Sequence, residues 1–119
     1  MTGLAVRNAM LIPEQIANRY LFVDSFTVSQ NDILASFEKV TGAKWQGTYL
    51  NAEEEKKAAL EKLSRGNPSG IPALIRYVTF VNGHGGNYMD YEESANKLLS
   101  LPKMSLDEVV ARIVKSSTT

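Results

Sequence analysis

The stretch that most constrains this chain is residues 19–42, RYLFVDSFTVSQNDILASFEKVTG. Tyr20, Leu21, Phe22 and Val23 form a continuous apolar run, the pattern of a strand covered on both faces in a parallel sheet. Asp24 and Ser25 break the run. Ser29 stands three residues before Asp32, the spacing of a capping box. Ile33, Leu34, Phe37 and Val40 then fall on one helical face, and Gly42 supplies a left-handed stop. A strand, a polar elbow and a helix marked at both ends make half of a βαβ unit. In open parallel sheets, ligands sit beyond the carboxyl ends of the strands. That makes Asp24, Ser25 and Phe26 candidate pocket residues. The competing reading is that they only form the elbow.

The flanking segments extend this α/β reading. Residues 3–12 form a helix that is apolar nearly all round, interrupted only by Arg7 and Asn8, and such a helix needs cover on several sides. Residues 45–50, WQGTYL, alternate as a second strand would, which puts Tyr49 and Leu50 at its mouth. Two strands joined by a helix of this length should be parallel with a right-handed crossover. Residues 51–65 read as a surface helix capped by Asn51. Glu53, Glu54 and Glu55 favour its positive end, and Glu53–Lys57 and Glu61–Arg65 are spaced for ion pairs. After a loop, Pro72 suits the first turn of a helix over 71–81, with a strand over 77–81 as the alternative. A glycine-rich loop follows at 82–87, then a short helix over 92–101. A last helix starts at Ser105, whose spacing to Glu108 is again that of a capping box, and residues 116–119 fray.

The expectation is therefore about two parallel strands with five or six helices. A two-stranded parallel sheet is not stable alone. Residues 1–115 thus read as one segment, the C-terminal part of a larger α/β domain whose other strands lie upstream of Met1.

Charge and composition narrow the function. Thirteen basic residues balance thirteen acidic ones among 119, with no basic stripe of the kind nucleic acid demands. No cysteine is present, which excludes disulfides, zinc–thiolate sites and redox thiols. No apolar run approaches the roughly 18 residues of a membrane span. Arg7 and Asn8 interrupt the apolar start too early for a signal peptide. A cytoplasmic protein with neither nucleic acid nor membrane as partner is expected.

The chemical motifs mostly fail their templates. Gly83-His84-Gly85-Gly86 would need glycine at position 88 for the dinucleotide fingerprint, where Tyr88 stands, so a flexible turn is the plainer reading. His84, the one histidine, is the one side chain whose ordinary pKa lies near neutrality, and loops carry function. Short-chain oxidoreductases often place lysine four residues after a catalytic tyrosine, and none of the five tyrosines has one. Glu53 to Glu55 face three sides of one helix start and make no metal cage. Tyr77 and Phe80 read as core aromatics before they read as ligand contacts.

One resemblance covers nearly the whole chain. The succession GLAVRNAML, NRYLFVDSFTVSQNDILASFEKVTGAKW, the acidic helix with EKLSRG, NGHGGNYM and SLDEVVARIV resembles the C-terminal portion of NmrA-like proteins. These sit with the isoflavone reductase-like, atypical short-chain dehydrogenases. The resemblance implies a doubly wound Rossmann-like fold that binds NAD(P) through an N-terminal half this sequence lacks. A smaller C-terminal part would close over a small-molecule substrate. It transfers no catalytic residue and implies no cofactor for this chain alone. Asp24, Ser25, Phe26, Tyr77, Phe80 and His84 are the substrate-pocket candidates. Family members divide between reductases and dinucleotide-sensing regulators that bind protein partners.

Overall fold

A computed structural model describes residues 1–118. Its elements are six α-helices: α1 (Thr2–Met10), α2 (Pro13–Ile16), α3 (Gln30–Thr41), α4 (Ala52–Ser64), α5 (Ile71–Phe80) and α6 (Leu106–Ser117). Short 3-10 turns stand at Pro68–Gly70 and Tyr88–Asp90. The chain divides into two compact units, Met1–Lys44 with Tyr88–Thr119, and Trp45–Asn87.

In the first unit, α3 forms where the local signals placed it. The Ser29 amide donates to Asp32 Oδ2 at 2.8 Å and the Asp32 amide donates to Ser29 Oγ at 3.2 Å. These reciprocal bonds satisfy two of the amides at the helix start, and the Ser29 amide, then the Ser29 hydroxyl, hold the Asp32 carboxyl below its usual pKa. Gly42 closes the helix at φ 66°, where a side chain would be strained. α3 packs on α6, and the contact is polar as well as apolar. Ser36, nearly buried, donates to Asp107 Oδ1 at 2.6 Å, and Lys39 pairs with the other oxygen. The Lys39 ammonium, then the Ser36 hydroxyl, keep the Asp107 carboxyl below its ordinary pKa. The expected box at Ser105 is not made: α6 starts without a side-chain cap bond.

A second cluster gathers Ala5, Ala95 and Leu99, with Ala9, Ile12, Leu21, Val23 and Leu101 against it. Asn8 fastens α1 there by donating to the Leu99 carbonyl at 2.8 Å. Residues 92–101 supply buried Ala95 and Leu99 from a run of turns rather than the expected helix; Ser100, at φ 49°, lies outside the helical region.

In the second unit, Asn51 caps α4 by accepting from the Glu53 and Glu54 amides at 3.0 and 3.2 Å. Glu61 and Arg65 pair at 2.5 Å as expected, whereas Glu53 pairs with Lys56 at 3.7 Å instead of Lys57. α4 packs on α5 through Ala59, 2% exposed, and Tyr77.

The α/β expectation is overturned. Helices take 56% of the residues, and among the described residues there is no sheet. One isolated parallel bridge remains, Phe22 with Ser94. The run at 20–23 therefore meets a turn far along the chain, and residues 45–50 lie in no strand, with Tyr49 83% exposed. The apolar run satisfied the strand pattern locally, but a ladder needs a partner of matching length, and residues 92–96 offer only one rung. The Rossmann-like architecture of parallel strands is not what these residues build. Of the frayed tail expected at 116–119, residues 116 and 117 lie in α6, and Thr119 lies outside the described residues.

Among the described residues, the buried apolar core holds no large side chain that is fully enclosed.

Candidate functional site

Asp24 sits at the centre of a polar knot in the first unit. Its Oδ1 accepts from Tyr88 Oη at 2.6 Å, Ser94 Oγ at 3.0 Å and Asn96 Nδ2 at 3.1 Å. Asn96 also handles the Asp24 backbone, donating to its carbonyl at 2.8 Å and accepting from its amide at 3.1 Å. One rung earlier the Ala95 amide donates to the Phe22 carbonyl at 2.8 Å. The Asn96 side chain thus imitates the next rung of a ladder, which satisfies backbone groups that a full strand partner would otherwise meet. Phe22 stacks on Tyr88 at 5.2 Å and meets Tyr91 edge-on at 6.0 Å, closing the apolar side of the knot. Burial, then the hydrogen bond to Asp24, pushes the Tyr88 phenol above its usual pKa. A carboxylate held by three donors at once is a structural anchor, and its acceptor capacity on Oδ1 is filled.

Ser25 and Phe26 are half-buried beside this knot. An open cleft of about 320 Å³ lies on the same unit, lined by Arg19, Tyr20, Phe22, Glu92, Glu93 and Ser94 among others. None of the three elbow candidates lines it. Sequence reasoning reached Asp24 but missed Tyr88, Ser94 and Asn96, which lie 64 to 72 residues away.

The other three candidates belong to the second unit. Tyr77 is 7% exposed and its ring meets His84 at 4.9 Å, the planes tilted by 55°. The Tyr77 hydroxyl donates to Glu53 Oε1, and Lys56 Nζ stands 3.4 Å from that hydroxyl and 4.5 Å over the ring. A lysine beside a tyrosine hydroxyl, absent at four-residue spacing, is therefore assembled across α4 and α5. The hydroxyl is engaged on both sides, so the cluster ties the two helices together. Phe80 is 40% exposed.

The glycine loop does not form a dinucleotide cradle. Gly83 and Gly85 take positive φ within the loop, at 84° and 81°. Gly86 presses on the end of α5, where a Cβ would fall 2.0 Å from the Thr79 carbonyl oxygen. The only element that follows at once is a three-residue 3-10 turn, too short to bring a helix dipole to a phosphate. Among the described residues, no group of three or more histidine, aspartate or glutamate side chains could hold a metal ion. No helix among them is long and apolar enough to cross a membrane.

Comparison with known proteins adds the remaining finding. Over 113 residues, 95% of this chain, the sequence is 56% identical to a protein of Aspergillus flavus named Oxidoreductase aprR. It is 29% identical over 115 residues to Oxidoreductase poxI of Penicillium oxalicum. The match covers 38% of the first relative and 37% of the second. The chain thus corresponds to a minor part of proteins named oxidoreductase. No protein-family profile matches it, and no solved structure matches it.

Proposed function

We propose that this chain is the substrate-side part of a longer NAD(P)-dependent oxidoreductase of the NmrA-like type, and that it is catalytically incompetent alone. The observation that carries this reading is the 56% identity over a stretch that makes up only 38% of a protein named oxidoreductase. The glycine loop supports it, because its glycines are engaged in their own turn and in packing on α5. In this reading NAD(P) is held by residues outside this chain, the partner is a small-molecule substrate, and the location is cytoplasmic. The candidates Asp24, Ser25, Phe26, Tyr77, Phe80 and His84 then contribute wall and support rather than proton transfer. The large exposed apolar surface also suits a second reading, a non-catalytic dinucleotide-sensing regulator that binds another protein. Fluorescence titration of NADPH into the 119-residue chain is expected to show no saturation below millimolar concentration. Saturation at micromolar NADPH would overturn the proposal, since the chain would then hold a complete cofactor site of its own.

A further inference from the structure

Of all the asparagines in the chain, only Asn82 is followed by glycine. Most of the others are held. Asn8, Asn51, Asn67 and Asn96 use their side chains in hydrogen bonds. Asn31 lies in α3, and the Asp32 amide after it is bonded to Ser29 Oγ. The Arg19 amide after Asn18 is bonded to the Ile16 carbonyl. Asn82 differs on every count. It is exposed in the loop after α5, and among the described residues neither its side chain nor the Gly83 amide makes a hydrogen bond. Nothing lies within 4 Å of the point where a Cβ on Gly83 would stand, and φ there is 84°. Glycine thus leaves the nitrogen sterically open and the backbone free to turn.

We propose that Asn82 is a self-modification site, at which the Gly83 nitrogen closes on the Asn82 side chain and converts the residue to aspartate and isoaspartate. The deprotonated Gly83 nitrogen attacks Asn82 Cγ. The N–Cγ bond forms, the Cγ–Nδ2 bond breaks and ammonia leaves, which gives a five-membered cyclic imide. Water then opens the ring. Cleavage of the new N–Cγ bond yields aspartate, whereas cleavage of the original peptide C–N bond yields isoaspartate, whose main chain runs through Cγ. Either way, an amide and water become a carboxylic acid and ammonia, with no oxidant, reductant or second protein required. The product alters a part of the loop that is in use. Downstream, the His84 ring meets Tyr77 at 4.9 Å and Gly86 presses on the Thr79 carbonyl. Isoaspartate puts an extra carbon into the main chain just before both contacts. Either product also adds a negative charge close to the negative end of α5. The isoaspartyl form therefore loses the contact between His84 and Tyr77.

Peptide mass spectrometry of the whole chain, sampled during incubation in mildly alkaline buffer, tests the site. Residue 82 is expected to gain about 1 Da at least roughly tenfold faster than any other asparagine, as a mixture of aspartate and isoaspartate. Modification of another asparagine at a similar rate would overturn the proposal. Aspartate as the sole product would do the same, because direct hydrolysis of the side chain gives it without the ring. So would a rate in buffer far below that of the chain unfolded in urea, since the loop would then be restraining the pair. The chain has a single histidine, so its ring protons report the consequence without ambiguity. Their chemical shifts should move in the isoaspartyl form as the Tyr77 ring is lost, and unchanged shifts would refute the effect on the loop.

Discussion

Replacing Gly70 by alanine is expected to cost the unit of residues 45–87 about 3 kcal/mol, the upper end of what overpacking usually does. Gly70 is buried at the N-cap of α5, against α4. A Cβ there would lie 2.4 Å from the Ala59 carbonyl oxygen, 3.0 Å from its Cα and 3.1 Å from its carbonyl carbon. All three are backbone atoms of a helix and cannot swing aside as a side-chain tip would. The helix pair must separate or the turn at Pro68–Gly70 must distort. A unit this small carries only a few kcal/mol in total, so amide protection in α4 and α5 should largely vanish. Protection in α3 and α6 should persist, which hydrogen exchange would show residue by residue. Gly42→Ala is the control. Nothing lies within 4 Å of its added Cβ, and only the positive φ opposes it, for about 1 kcal/mol.

The second large effect is expected at Asn96. Asn96→Ala removes the partner of both the Asp24 amide and the Asp24 carbonyl, along with one donor to its carboxylate. Unsatisfied groups in a half-buried position cost about 1–3 kcal/mol each where water cannot reach. A total near 2–3 kcal/mol is expected in the urea unfolding of the first unit, together with loss of the near-ultraviolet signal from the Phe22–Tyr88 stack. Asn96→Asp should be at least as damaging. It keeps an acceptor for the Asp24 amide, loses the donor, and sets a second carboxylate against the first. A variant of either kind with an unchanged midpoint would mean that the knot around Asp24 is decoration.

What was legible in the sequence was what is decided within a few residues. The box at Ser29 and Asp32, the stop at Gly42 and the cap at Asn51 each depend on neighbours four residues or fewer away, and each is realised. Non-local pairing was not legible. Residues 20–23 carry a strand signal, yet the partner of Phe22 is Ser94, inside a polar stretch with no strand signal of its own. Nothing in the composition around Asn96 announces a side chain that substitutes for a ladder rung. The meeting of Lys56 with Tyr77 was equally hidden, because it depends on how α4 and α5 pack. It also accounts for the missing Glu53–Lys57 pair, since Glu53 is engaged with Tyr77 and Lys56. The apolar character of the first helix was visible, whereas the exposure of Val6 and Met10 required the structure.

If these residues form part of a longer protein, as proposed, calorimetry of the isolated chain should show an incomplete domain. A complete domain of this length unfolds with an enthalpy of roughly 80 kcal/mol near 60 °C in a single cooperative transition. The chain, with its small core, is expected to give a broad, low-enthalpy transition well under half that value. A sharp transition of full enthalpy in a monomeric sample, with calorimetric and van't Hoff values equal, would contradict it.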